Sequence, residues 1–233
     1  MTPIGAVERS CAGPLSLGSF LDMRNLPISD IRIRTERLEL RLPDLELLDE
    51  LATLAAKGVH PPDTMPFSVP WTDLPSPELE RSAIRWNLHQ MGSWRPEAWS
   101  FNPVVLYQGR VVGTQEISAD HFGVTRTFRT GSSLGHAYQG QGMGREMRAA
   151  VIHFGFVCLG GQVALSAAFR DNLASLGVSR SLGYQENGVL VVERRGVRAE
   201  QVGLRLTRER WESTTRPAVR VEGVERSLDL FGV

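Results

Sequence analysis

The sequence predicts a single domain of mixed α/β class, in which one sheet carries helices on both of its faces. Three observations lead to this prediction: an early pair of helices, a series of strands joined by short turns, and a β-α-β unit built around a glycine-rich turn. Helices that follow strands on either side of a sheet bury both of its faces and produce a layered α/β arrangement. The 233 residues suffice for one substantial core, and no internal repeat indicates a second domain.

The first half of the chain combines a strand region with two helices. Apolar residues that alternate with polar ones indicate an extended segment over 31–42, interrupted near its middle. Leucines at helical spacing after Asp44 predict a helix that ends near Gly58. Five prolines over 60–75 predict a loop, because proline prevents regular pairing. A second helix is expected over 77–91.

The second half begins with a strand meander and continues with a β-α-β unit. Apolar, β-branched segments bounded by turn residues predict strands over 99–107, 111–117, 125–134, 163–169, 189–194 and 201–206. Helical periodicity predicts helices over 142–159 and 172–181.

Composition and charge narrow the classes of function. Lys and Arg together number 26, as do Asp and Glu, so the formal net charge is zero. A neutral chain offers no electrostatic reason to bind nucleic acid or a membrane surface. The histidines and the two cysteines lack the spacing of metal ligands or of a disulfide framework, so no metal site is predicted. No apolar run reaches the roughly 18 residues of a membrane span, and we expect a cytoplasmic protein.

The most informative segment is the glycine-rich turn Gln139-Gly140-Gln141-Gly142-Met143-Gly144, which follows a strand and precedes an amphipathic helix. Glycines let the backbone approach a ligand closely and direct consecutive N–H groups into one concavity. The helix adds the positive end of its dipole, so the turn predicts an anion site that suits a pyrophosphate. A P-loop is rejected because Gly144 is followed by Arg145-Glu146, and a dinucleotide fingerprint fits poorly because the last glycine has the wrong spacing.

A third interpretation of this turn fits better. The spacing Gln139-x-x-Gly142-x-Gly144 resembles the acyl-CoA-binding motif of the GCN5-related N-acetyltransferase (GNAT) superfamily. A second segment, from Asn172 through Ser175 to Gly183-Tyr184, resembles the N-x-x-[AS] and L-G-[FY] motif of the same superfamily. Ser175 and the loop Met65-Pro66-Phe67 favour the branch of ribosomal-protein N-terminal acetyltransferases, which is the RimJ/RimL-like branch.

The resemblance implies a particular version of the α/β fold and a domain organisation. It implies a mostly antiparallel sheet of about seven strands, with helices on both faces and a V-shaped cleft between two splayed strands. The resemblance covers 31–210, which we expect to be the acyltransferase domain. Residues 1–30 are expected to be an N-terminal extension, and residues 211–233 a C-terminal tail.

The resemblance also implies how coenzyme A is bound. The amides of about Gln141 to Arg145 would hold the pyrophosphate, and the pantetheine arm would pair with the strand around Ser132 to Leu134. The amide of Leu134 or Gly135 would hold the thioester oxygen. The residues expected to contact the coenzyme are Ser133, Leu134, Gly135, Gln139, Gly140, Gln141, Gly142, Met143, Gly144, Arg145, Asn172 and Ser175.

Asn172, Ser175 and Ser179 are spaced at i, i+3 and i+7 and therefore lie on one face of the helix predicted over 172–181. We expect Ser175 to donate a proton to the departing thiolate and Asn172 to bind the pantetheine or to orient Ser175. Asn172 could instead be only the helix N-cap. Many members of the superfamily have a tyrosine donor where this chain has Ser179.

A carboxylate or a histidine could remove the proton of the acceptor amine. Glu116 is the first candidate, because it lies in a central strand of the meander, and His136 is the second. An outward, solvated Glu116 is the alternative interpretation.

The early helices and their loop are expected to form the acceptor site. Five aromatic residues in and after this region suggest a bounded pocket, although most could be core anchors: Phe67, Trp71, Trp86, Trp94 and Trp99.

The leading hypothesis is an N-acyltransferase that moves an acetyl or succinyl group from acyl-CoA to a primary amine in a ternary complex. The amine could belong to a small molecule or to a protein N-terminus, and the enzyme could form a homodimer. The alternative is a non-catalytic acyl-CoA-binding module on the same fold.

Overall fold

A computed structural model of the chain describes residues 24–233, so most of the predicted N-terminal extension, residues 1–23, lies outside the described residues. Ten strands form one sheet: β1 (Arg32–Arg34), β2 (Leu38–Arg41), β3 (Ala98–Phe101), β4 (Val104–Tyr107), β5 (Arg110–Asp120), β6 (Thr127–Leu134), β7 (Val163–Phe169), β8 (Gln185–Arg194), β9 (Val197–Thr207) and β10 (Arg220–Glu222). Six α-helices accompany them: α1 (Leu45–Ala56), α2 (Glu78–Gly92), α3 (Phe122–Thr125), α4 (Met143–His153), α5 (Leu173–Ser181) and α6 (Arg208–Glu212).

The sheet is mostly antiparallel, as the sequence predicts. Its strand order is β10-β1-β2-β4-β5-β6-β7-β9-β8, with β3 also paired to β5. The pair β6–β7 is parallel, and every other strand pair described is antiparallel. The prediction of a mixed, mostly antiparallel sheet is therefore confirmed.

The strand count of about seven is too low, and three local causes explain the ten strands. The predicted strand over 31–42 divides at a turn that the Thr35 amide closes with a hydrogen bond of 2.9 Å to the carbonyl of Leu38. The predicted strand over 99–107 divides before Pro103, which has no N–H to donate. The tenth strand, β10, comes from the predicted C-terminal tail and pairs with β1.

Helices cover the sheet on both faces. Asp44 caps α1 by accepting a hydrogen bond of 2.9 Å from the amide of Leu47, and the apolar side of α1 packs on β4 and β5. On the other face, α4 buries Met147, Ala150 and Val151 against the main core. The predicted helix over 142–159 is α-helical only to His153, and one π-helical turn then covers Phe154–Cys158.

The segment after residue 210 belongs to this core. Trp211, Val221 and Phe231 are buried, and the indole N–H groups of Trp94 and Trp99 donate to the carbonyls of Leu230 and Phe231 at 2.8 and 3.1 Å. The residues predicted to be a C-terminal tail therefore pack as part of the domain. The domain boundaries stay predictions.

Across the described part of the chain, no helix has the length and apolarity needed to traverse a lipid bilayer.

Candidate active site

A cleft opens where β6 and β7 diverge. Their parallel pairing covers three residue pairs and ends at Arg129 and Leu165. Beyond this vertex, β6 continues to Leu134 along β5, whereas β7 continues to Phe169 along β9. Two edges of backbone groups thus face each other without pairing, and the predicted V-shaped cleft is confirmed.

The glycine turn lies at the open end of β6. Gly140 and Gly142 have φ values of 74° and 80°, in the left-handed region that favours glycine. Gly142 is the N-cap of α4 and supplies no capping side chain. Within residues 24–233, the amides of Gly140 to Gly144 donate to no backbone or side-chain acceptor. A group of unsatisfied amides at a helix N-terminus is a binding site for an anion such as a phosphate.

One amide of the predicted set is used by the helix itself. The amide of Arg145 donates to the carbonyl of Gly142 at 3.2 Å, so the four preceding amides and Gly140 remain for the anion. Arg37 lies beside the turn, where it donates to the carbonyl of Gln141 at 3.2 Å and forms an ion pair of 2.6 Å with Glu146.

Gln139 and Gln141 have structural contacts. The side-chain amide of Gln139 donates to the carbonyls of Val59 and Leu134, both at 2.8 Å, and thereby joins the turn to β6 and to the loop after α1. The Gln141 side chain donates to the carbonyl of Ala137 at 3.0 Å. These contacts fix the shape of the turn and leave its backbone amides unpaired.

The expectation that Gly135 binds the thioester oxygen is wrong, because its amide donates to the carbonyl of Val112 in β5 at 2.9 Å. Backbone groups of an antiparallel strand alternate in direction, so Ser133 also faces β5, whereas Ser132 and Leu134 face the cleft. The carbonyl of Thr130, in the same alternation, accepts a hydrogen bond of 3.3 Å from Ser166 of β7. Ser132 therefore presents its amide deepest in the opening.

The three polar residues of α5 lie on one face, as predicted. The Asn172 side chain accepts a hydrogen bond of 3.1 Å from the amide of Ser175 and so is the N-cap. Ser175 is half-buried. Ser179 is fully buried; it donates to the carbonyl of Ser175 at 3.0 Å and accepts from Arg148 at 2.7 Å.

Glu116 reaches β6 from the face of the sheet opposite α4. It is half-buried and opposes Gly131 in the β5–β6 register, while its neighbours Gln115 and Ile117 point into the core. A Cβ atom built on Gly131 would lie 2.8 Å from Oε2 of Glu116, so the carboxylate rests on the backbone of Gly131. Its other oxygen accepts a hydrogen bond of 3.3 Å from Ser100.

His136 lies farther from this point. It begins a 3-10 turn after β6, its side chain is exposed, and its amide donates to the carbonyl of Gly58 at 3.0 Å. The structure thus brings Glu116, and not His136, to the strand that borders the cleft.

The loop between α1 and α2, residues 58–75, connects the end of β6 with the β8–β9 hairpin; we call it the strap. At one end it contacts the end of β6 through Gly58 and Val59. At the other end it contacts the β8–β9 hairpin: Arg195 pairs with Asp73, Arg194 donates to the carbonyl of Met65 at 3.4 Å, and Gln201 donates to Ser68 at 3.0 Å.

The aromatic residues divide between this strap and the core. Phe67 and Trp71 lie in the strap, with ring centroids 5.2 Å apart. Trp94 and Trp99 pack against Phe231 in the core, and Trp86 is exposed. Trp94 and Trp99 are therefore core anchors, and the acceptor-site expectation for Phe67 and Trp71 stays a prediction.

The unsatisfied amides of the glycine turn fit the phosphate of a phosphate-bearing coenzyme, and the unpaired edges of β6 and β7 leave room behind them for the rest of such a molecule. The sequence model of the acetyltransferase (GNAT) domain matches residues 37–185, more than half of the chain. The chain therefore belongs to the GNAT family, and it is an acyl-CoA-dependent N-acyltransferase.

Solved structures support the same fold. RimJ of Mycobacterium smegmatis, in complex with a CoA disulfide, is 16% identical with a TM-score of 0.65, over 87% of this chain and 95% of that one. RimL, the ribosomal L7/L12 α-N-protein acetyltransferase in complex with CoA, is 17% identical with a TM-score of 0.60, over 74% and 95%. The microcin C7 self-immunity acetyltransferase MccE, in complex with acetyl-CoA and AMP, is 17% identical with a TM-score of 0.57, over 74% and 93%. The predicted resemblance to RimJ and RimL is confirmed at the level of the fold.

Proposed function

We propose that this acyltransferase moves an acetyl group from acetyl-CoA to a primary amine that enters beneath the strap. The observation that carries the proposal is the position of Glu116, whose carboxylate rests on Gly131 next to the cleft-facing amide of Ser132. Glu116 of β5 would thus act as the base beside Gly131 of β6, the residue that precedes the proposed oxyanion donor Ser132. The complexes of RimL with CoA and of MccE with acetyl-CoA support the choice of coenzyme.

The coenzyme would enter from the glycine turn. Its pyrophosphate would accept hydrogen bonds from the amides of Gly140 to Gly144, and its pantetheine arm would pair with Leu134 on β6. Asn172, whose side-chain oxygen caps α5, would contact the arm through its remaining N–H groups. The arm then runs toward the vertex, so the thioester reaches Ser132.

The reaction would be a direct attack in a ternary complex. The amine nitrogen forms a bond to the thioester carbon while Glu116, directly or through water, accepts its proton. The amide of Ser132 donates to the developing oxyanion. The carbon–sulfur bond then breaks, and the sulfur leaves with the bonding electrons. Ser175, half-buried on the cleft side of α5, is the candidate donor of a hydrogen bond to that sulfur.

The acceptor is proposed to be the α-amine of a protein N-terminus, with a small amine as the alternative. Phe67 and Trp71, whose rings contact each other in the strap, would border the entry and would restrict it to a chain of limited width. Among the similar structures, RimL is a ribosomal L7/L12 α-N-protein acetyltransferase and MccE is a microcin C7 self-immunity acetyltransferase, which supports both classes of acceptor. Succinyl transfer, a cytoplasmic location and a homodimer stay predictions.

A thiol-release assay tests the proposal. The purified chain is incubated with acetyl-CoA or succinyl-CoA and with either N-terminal peptides or small amines, and the acylated product is identified by mass spectrometry. We expect release with acetyl-CoA and a peptide whose α-amine is then blocked. Tight coenzyme binding without release from any amine would contradict the catalytic proposal, and release only with small amines would reassign the acceptor.

A further inference from the structure

Arg148, in the second turn of α4, is a buried cation that no sequence motif identifies. Only 5% of the surface of Arg148 is exposed, and its neighbours in sequence, Met147 and Ala149, are apolar core residues. Its guanidinium donates to the hydroxyl of Ser179 at 2.7 Å and to the hydroxyl of Ser132 at 3.1 Å. Its Nε is buried without an acceptor in the described chain, and no carboxylate of residues 24–233 forms an ion pair with it.

Such an arrangement is costly for a resting protein. Removing a charge from water is strongly unfavourable unless an opposite charge compensates it. Burial accordingly lowers the pKa of Arg148, an effect that Tyr184 partly opposes, yet a guanidinium remains protonated in proteins. A methionine of similar length could fill this buried position without a charge. The positive charge of Arg148 therefore points to an anion that is present only during the reaction.

The two hydroxyls that Arg148 holds come from β6, one strand of the cleft, and from α5, the helix that follows β7. Ser132 is the β6 residue whose amide faces the thioester, and Ser179 lies on the face of α5 that carries Asn172 and Ser175. Arg148 bridges β6 and α5 on the α4 side of the sheet, whereas Glu116 contacts Gly131 from the opposite side. The guanidinium of Arg148 and the carboxylate of Glu116 therefore lie on opposite sides of β6.

Other charged groups near Arg148 do not neutralise it. Glu146, two residues closer to the N-terminus of α4, pairs with Arg37 and accepts a hydrogen bond from Thr35 at 2.5 Å. Tyr184 is buried beside Thr130, with the two hydroxyl oxygens 3.4 Å apart, and burial raises the pKa of Tyr184. The tyrosine is therefore a neutral neighbour at ordinary pH.

We propose that Arg148 supplies the positive charge that stabilises the thiolate of coenzyme A as it leaves, acting through the hydroxyl of Ser179. This inference rests on the proposed acyl transfer. When the carbon–sulfur bond breaks, its electron pair stays on sulfur; the Ser179 hydroxyl, held and polarised by Arg148, turns its proton from the Ser175 carbonyl toward that sulfur. The thiolate takes up a proton later, from Ser175 or from water. Arg148 is thus a positioning residue, and the charge replaces the missing tyrosine donor.

The test measures the pKa of the thiol of bound coenzyme A, through the ultraviolet absorbance of its thiolate, in the wild-type protein and in two variants. We expect the bound thiol to have a pKa at least about one unit below that of the free coenzyme, a tenfold change in proton dissociation. Arg148→Met should return this pKa to the free value and lower kcat about 10²-fold, with little change in the KM for acetyl-CoA. Arg148→Lys should restore part of both quantities, because it keeps the charge.

Arg110→Met is the matched control, since Arg110 is exposed at the start of β5 and should change neither quantity. An Arg148→Met protein that folds, binds coenzyme A and keeps the lowered thiol pKa would overturn the inference. If that variant does not fold, the wild-type measurement decides, because a bound thiol with the pKa of the free coenzyme also overturns it. Failure of the wild-type protein to bind coenzyme A at all would instead remove the proposed function, and this inference with it.

Discussion

Two charged side chains meet the same short stretch of β6 from opposite faces of the sheet. Glu116 contacts Gly131, and Arg148 donates to Ser132. These two consecutive residues of β6 are thus contacted by a carboxylate on one side of the sheet and by a guanidinium on the other. In the proposed reaction, the amine and the sulfur would therefore lie on separate sides of the strand. The attacking nitrogen would face the carboxylate of Glu116, whereas the leaving sulfur would face the positive charge of Arg148.

Replacing Glu116 by Gln should lower kcat by about 10²-fold or more, because the variant keeps the shape of the side chain and loses the proton acceptor. Calorimetric affinity for coenzyme A should stay at the wild-type value, since the pyrophosphate turn is untouched. Glu97→Gln, at an exposed position before β3, is the control. A Glu116→Gln protein with wild-type kcat would remove Glu116 from the mechanism.

We expect His153, the last residue of α4, to make the free energy of unfolding depend on pH. Burial, and secondarily Arg216, lowers the pKa of His153 to about 4 from its ordinary 6.5. The folded state therefore binds this proton more weakly than the unfolded chain does. The contribution is fully present above pH 6.5 and is lost as the pH falls toward 4.

Urea unfolding at several pH values measures this effect. Between pH 7 and pH 4, the wild-type protein should lose up to about 3 kcal/mol more stability than His153→Gln, which cannot take up the proton. Equal losses in both proteins would show that His153 is not the titrating group.

The N-terminus of α4 allows a test of the anion site that leaves the backbone unstrained. A Cβ atom on Gly144 would meet only Val178, at 3.9 Å, so alanine and aspartate both fit. Gly144→Asp adds a negative charge that favours the helix N-terminus but repels a pyrophosphate. We expect Gly144→Asp to weaken coenzyme A binding at least about 10²-fold and Gly144→Ala to weaken it much less. Equal affinity of the two variants in calorimetry would refute a pyrophosphate at this turn.

The strap can be tested through its contact with the β8–β9 hairpin. Arg194 forms a bidentate pair with Asp171, stacks on Phe169 with its guanidinium carbon 4.4 Å from the ring centroid, and donates to the strap. Arg194→Ala should raise the KM for the amine several-fold and leave that for acetyl-CoA unchanged, because pair and stacking contacts are each worth about 1 kcal/mol. Arg198→Ala, on the same hairpin, is the control. An unchanged KM for the amine would show that this contact of the strap plays no part in acceptor binding.

Local sequence signals predicted the elements of the site better than its contacts. The glycine turn could be predicted because left-handed backbone angles require glycine at Gly140 and Gly142. Arg148 could not, since its partners lie 16 and 31 residues away and meet it only after α4 packs on β6 and α5. An arginine within an apolar helix face was the one signal available. The direction of the Gly135 amide likewise depends on the β5–β6 register, which no local pattern shows.

For the molecule as a whole, the C-terminal segment is a structural component rather than an appendage. Phe231 is fully buried and its ring packs against Trp94, Trp99, Phe101 and Phe154. Sequence reasoning missed this, because β10 spans only three residues, Arg220–Glu222, and alternation over so short a segment is no signal.

Phe231→Ala should therefore lower the free energy of unfolding by about 3 to 5 kcal/mol, because it leaves a cavity among four aromatic rings. Chemical denaturation followed by tryptophan fluorescence measures the change. Val233→Ala, two residues further on, is the control and should cost much less. A Phe231→Ala protein as stable as the wild type would show that the segment does not support the core.

The three-residue contact between β6 and β7 divides the sheet into a larger part, from β10 to β6, and a smaller part made of β7, β9 and β8. An extended pantetheine with amide groups along its length is chemically akin to a short peptide. Bound between the two parts, the pantetheine would supply hydrogen bonds that β6 and β7 do not make to each other. Coenzyme binding would then also join the two parts of the sheet.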